Sequence, residues 1–77
     1  MKAKDMFEKL GYEYKYDFIT FTYEYISSYN NTIIVFDNII RTVRISQIDR
    51  EYAQTFNINE LKAINKQIEE LGWDNEW

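Results

Sequence analysis

An α+β domain is what this sequence predicts: a short N-terminal helix, an antiparallel meander of three or four strands, and a C-terminal amphipathic helix packed on one sheet face. Three observations carry that expectation. Apolar residues recur at helical spacing near both ends, they alternate at strand spacing through the middle, and polar or glycine-containing turns separate the two regimes. At 77 residues, 45% of them hydrophobic, the chain has the dimensions of one domain spanning residues 1–77.

The elements follow in order. Ala3, Met6, Phe7 and Leu10 share one face of a short helix, with Lys2, Asp5 and Glu8 between them. Gly11 stands where a left-handed residue closes such a helix, and Tyr12 lies just past the cap. From Tyr12 to Tyr25 the pattern alternates, first on Tyr12, Tyr14, Tyr16 and Phe18, then on Ile19, Phe21, Tyr23 and Tyr25. A bulge or break near Asp17 accounts for that change of phase better than one long flat strand does. Ser27 to Asn31 reads as a polar turn. Thr32 to Phe36 reads as a central strand buried on both faces. Asp37 and Asn38 mark the next turn, and Arg41 to Ile48 alternates again, with Val43 and Ile45 on one face and Thr42, Arg44 and Ser46 on the other. Gln47 to Thr55 is mixed and reads as a connection. Asn57 and Glu60 have the spacing of a capping box, so a helix starts at Ile58. Leu61, Ile64, Ile68 and Leu71 form its apolar stripe, Gly72 terminates it, and Trp73 packs back past the cap. No internal repeat is apparent on inspection.

Composition narrows the chemistry. Cysteine and histidine are both absent, which removes disulfides, thiolate nucleophiles, imidazole bases and the metal sets built from those side chains. Catalysis would rest on carboxylate, tyrosine or lysine alone, without a glycine-rich phosphate loop, so no enzyme activity, no cofactor and no metal site are expected. Glu69 and Glu70 are adjacent on a helix and diverge by roughly 100°, which makes them part of a solvated face and not a catalytic pair. No apolar run approaches the length of a membrane span, and no signal-peptide pattern opens the chain. A cytoplasmic location and no membrane partner are the expectation. Residues 1–50 balance seven acids with seven bases, whereas the remainder holds six acids and only Lys62 and Lys66. The net charge of −4 therefore sits in the last third, which disfavours phosphate binding there and makes nucleic acid an unfavoured partner.

Met6-Phe7-Glu8-Lys9-Leu10-Gly11-Tyr12, Ile34-Val35-Phe36-Asp37 and the run from Glu60 to Trp73 resemble a family of small uncharacterised proteins of phages and prophages of low-GC Gram-positive bacteria. The resemblance spans nearly the whole chain and implies an origin, with no activity or site residues to transfer. Its members often carry a polar or glycine-containing loop after the Phe-Asp pair, where this chain has Asn38, Ile39 and Ile40.

Two candidate interaction surfaces emerge. Tyr12, Tyr14 and Tyr16, interleaved with Glu13, Lys15 and Asp17, form either a flat recognition surface or a half-buried sheet face. Ile39 and Ile40 belong to the core if the turn closes on Asp37 and Asn38 alone. A four-residue loop, which the resemblance suggests, places both at an exposed tip as a contact for a partner or for self-association. The expected function is that of a phage accessory protein acting by protein–protein interaction, as a monomer or small homo-oligomer with an unidentified host or phage partner. An acidic inhibitor of a host defence nuclease, in the manner of an anti-CRISPR protein, and a small nucleic-acid-binding module are the alternatives.

Overall fold

The computed structural model describes residues 1–27, 31–47 and 56–73. Its elements are α1 (Ala3–Lys9), β1 (Glu13–Asp17), β2 (Thr22–Ser27), β3 (Thr32–Asp37), β4 (Thr42–Gln47) and α2 (Ile58–Glu70), and the four strands form one antiparallel sheet in chain order. The expected α+β meander with a helix at each end is thus observed, with four strands.

Each end of α1 is fixed by a local rule and a distant contact. Gly11 adopts φ +91°, its N–H bonds the Glu8 carbonyl, and the Tyr12 N–H reaches back to the Phe7 carbonyl at 3.0 Å. This is a Schellman closure, and its usual hydrophobic contact is present as the edge-on packing of Tyr12 against Phe7. At the other end the Ala3 N–H donates to Glu70 Oε2 of α2 at 2.8 Å. The two helices therefore run antiparallel on the same face of the sheet.

The change of phase between Tyr12 and Tyr25 is a hairpin. Strand β1 ends at Asp17, residues 18–21 turn, and Asp17 pairs with Thr22. Pairing Tyr16 with Tyr23 and Tyr14 with Tyr25 puts even positions of β1 on the same face as odd positions of β2. A loop with an even number of residues imposes that switch of parity, because cross-strand partners share a face. Ser27, expected in the following turn, is instead the last residue of β2 and is buried. Residues 28–30 and 48–55 lie outside the described residues, so most of the expected 27–31 turn and 47–55 connection does too. Gln47 itself closes β4.

Face by face, Tyr14, Tyr25, Ile34 and Ile45 make one row, and Tyr16, Tyr23, Phe36 and Val43 the next. The helices cover this face. Its core is Phe7, Tyr12, Tyr25, Ile34, Phe36, Ala63, Ile64 and Trp73. The opposite face carries the row Lys15, Glu24, Val35 and Arg44, in which Val35 is buried between two long charged neighbours whose stems shield it. Strand β3 is central, as expected, with Thr32, Ile34, Val35 and Phe36 buried.

Helix α2 begins at Asn57, whose Oδ1 accepts from the Glu60 N–H at 2.9 Å while Glu60 Oε1 accepts from the Asn57 N–H at 3.2 Å. The capping box is therefore closed in both directions. The expected apolar stripe needs one correction. Ile64, Ile68 and Leu71 face inward or pack at the margin, but Leu61 is exposed, and Glu60, Ala63, Ile64 and Gln67 are the buried positions. The helix is rolled toward its polar side because two tyrosine hydroxyls in the core need acceptors. Tyr12 donates to Glu60 Oε2, and Tyr25 donates to Gln67 Oε1.

That buried Tyr25 hydroxyl sets an alkaline limit on stability. Burial raises its pKa above the ordinary tyrosine value, and the nearby Tyr14 and Glu70 reinforce the shift. The unfolded chain therefore releases this proton first, near pH 10, while the folded chain still holds it. Stability is fully present below about pH 10 and falls as pH rises beyond it, by up to about 1.4 kcal/mol per pH unit for this one group. Melting curves from pH 7 to 12 should show the fall, and Tyr25→Phe should flatten it. An equally steep fall in that variant would place the alkaline sensitivity elsewhere.

Candidate functional site

The two hairpin turns lie side by side at one end of the sheet and are built alike. In the first, Asp17 Oδ1 accepts from the N–H groups of Ile19 and Thr20 at 2.9 and 3.3 Å. In the second, Asp37 Oδ1 accepts from those of Ile39 and Ile40 at 3.0 and 3.3 Å. Each turn ends on a left-handed residue, Phe21 at φ 56° and Arg41 at φ 54°, followed by a threonine that restarts the strand. Asp-Xaa-Ile-Xaa-Xaa-Thr thus occurs at Asp17 and again at Asp37, a short internal repeat hidden by unrelated residues between its fixed positions. The two N–H donors hold the Asp17 carboxyl below the ordinary carboxylate range, the Ile19 bond contributing most.

The tips are joined to each other and to α2. The Asn38 N–H of the second turn donates to the Phe21 carbonyl of the first at 3.2 Å. Asn38 Oδ1 in turn accepts from the indole N–H of Trp73 at 2.9 Å, and Trp73 is buried beside Phe36 with ring centroids 6.3 Å apart. A chain of bonds therefore runs from the core through Trp73 and Asn38 to the first tip. The platform is fixed before anything binds to it.

What the platform carries is apolar. Relative exposures are 72% for Phe18, 77% for Ile19, 49% for Phe21, 66% for Ile39 and 64% for Ile40. Five large apolar side chains at one end of a small acidic domain are a concentrated exposed patch, the kind that marks a contact surface. The left-handed Phe21 adds to the argument. An aromatic side chain there is disfavoured by roughly 1–2 kcal/mol relative to glycine, and neither the turn nor the ladder requires a ring. Strain retained with an exposed side chain points to a use for that side chain.

Ile39 and Ile40 therefore occupy the exposed four-residue tip. Tyr12 does not belong to a surface: it is 4% exposed, follows the helix cap instead of lying in β1, and its hydroxyl is spent on Glu60. Tyr14 and Tyr16 are partly exposed at the margin of the helix-covered face. Tyr14 stacks toward Tyr25 at 5.4 Å beneath the Lys4 ammonium, and Tyr16 leans on Tyr23 at 4.8 Å. Only Tyr16 lies near the tips, one row below Asp17. Sequence reasoning missed Phe18, Ile19 and Phe21, which it assigned to strand faces. The repeated Asp-Xaa-Ile-Xaa-Xaa-Thr was the signal that would have revealed them.

Among the described residues no three carboxylates converge to hold a metal ion, and no helix is long and apolar enough to cross a membrane. Compared with known proteins, the chain matches no family model, no curated protein and no solved structure.

Proposed function

We propose that this chain is a non-enzymatic accessory protein, of the phage or prophage kind its resemblance implies, that works in the cytoplasm of a bacterial host by binding protein through its paired hairpin tips. The observation that carries this reading is the joined platform of Phe18, Ile19, Phe21, Ile39 and Ile40. Leaving an isoleucine or phenylalanine in water forgoes roughly 1.5–3 kcal/mol of burial, and a preformed patch returns it on docking without an ordering cost. The phosphate-mimic alternative draws less support from the geometry. The carboxylates of Asp17, Asp37, Glu60 and Glu70 accept bonds from within the fold, and the prominent end of the molecule is apolar.

The test is the double change Ile39→Ser with Ile40→Ser. Both side chains are exposed, so denaturant unfolding should move by no more than about 1 kcal/mol. Used as baits in host lysate, the wild type should retain a protein that the folded double variant loses. Equal capture of the same protein by both, or unfolding of the variant, would refute the tip reading.

A further inference from the structure

We infer that the protein received by the hairpin tips is a second copy of this chain, docked tip to tip about a two-fold axis. The inference rests on the tip reading and names its partner. Charge is the first argument. The two turns and the strand rows adjoining them carry Lys15, Arg41 and Arg44 against Asp17, Glu24 and Asp37, so this end is balanced, and the net −4 of the chain lies in the rest of the molecule. Two copies repel through their bodies and do not repel through their tips, which selects this end for self-contact.

Complementarity is the second argument. The first tip is aromatic, with Phe18 and Phe21 beside the anionic Asp17. The second is aliphatic, with Ile39 and Ile40, and holds Arg41, the one charged residue within the two turns. A two-fold axis brings the first tip of one copy onto the second tip of the other, twice over, as an isologous interface requires. Each contact then sets aromatic rings against isoleucines and a guanidinium against rings and a carboxylate. The tips stand about two strand spacings apart, roughly 10 Å, so the knobs of one copy seat beside those of its mate.

Area is the third. The five side chains expose on the order of 500 Å² per copy, about 1,000 Å² for a pair, which is the lower end of specific interfaces. The dimer is accordingly a weak one, with a Kd on the order of 10 μM.

Sedimentation equilibrium of the whole chain across that range tests this, with two variants. Ile39→Ser/Ile40→Ser should be monomeric. Phe21→Gly should also be monomeric while melting at the same temperature as the wild type or higher, since glycine relieves the left-handed strain; that result excludes unfolding as the cause. A wild type that stays monomeric at about ten times the expected Kd overturns the inference and leaves the tip reading to the lysate experiment. If that monomer instead floats with neutral phosphatidylcholine vesicles, the tips take a lipid surface, which overturns both. A wild-type dimer that neither variant weakens uses another face and likewise overturns both.

Discussion

Phe7→Ala is expected to lower the stability of the folded chain by about 3–5 kcal/mol, enough to leave little of it folded. Phe7 has no exposed surface and joins three elements at once. Its ring stacks on Tyr25 of β2 at 3.9 Å, meets Tyr12 edge-on at 5.5 Å and Phe36 of β3 edge-on at 6.2 Å. Helix α1 has 7 residues, too few to persist alone, so its existence depends on this packing. The carbonyl of the same residue accepts the Tyr12 N–H that closes the helix. A chain of this length has a total stability of roughly 4–12 kcal/mol, so the loss takes between a third and all of it. Denaturant midpoints give the measurement, with Phe7→Leu as the control that keeps most of the volume and costs less. A midpoint for the alanine variant close to that of wild type would mean that α1 is not docked on the sheet.

Glu60→Ala is the second large effect, about 2–4 kcal/mol. One of its oxygens accepts the Asn57 N–H and completes the cap of α2, while the other accepts the Tyr12 hydroxyl inside the core. Alanine removes both contacts in one change. Glu60→Gln keeps a single carbonyl oxygen in place and should cost about half as much or less. A cycle of Glu60→Ala with Tyr12→Phe separates the two roles, because residues in direct contact couple by about 0.5–3 kcal/mol. Additive effects would show that the bond from Tyr12 contributes nothing and that the cap alone accounts for the loss.

These two residues show where sequence reading stopped. Phe7 on the inner face of α1 was legible from its spacing, but its stacking on Tyr25 was not. Glu60 was legible as a capping residue, and nothing local indicated that the same side chain would reach a hydroxyl on the far side of the core. The tips divide in the same way. Asp37 announced a turn, and Ile39 and Ile40 were recognised as its possible tip, whereas Phe18, Ile19 and Phe21 were absorbed into an alternating pattern that continued without a break in hydrophobicity.

Sequence by itself determined the elements and their ends, because those obey short-range rules: the left-handed glycine after α1, the reciprocal cap at Asn57 and Glu60, the parity switch across residues 18–21, and the apolar run of β3. Tertiary structure alone decided which face of α2 turns inward, because Glu60 and Gln67 are buried only for the sake of hydroxyls on Tyr12 and Tyr25, far away in the chain. It also decided that Tyr12 is core and that two turns distant in sequence become one apolar platform. That outcome depends on the pairing of β2 with β3, on the bond from Asn38 to Phe21 and on the anchor at Trp73, none of which a local pattern encodes.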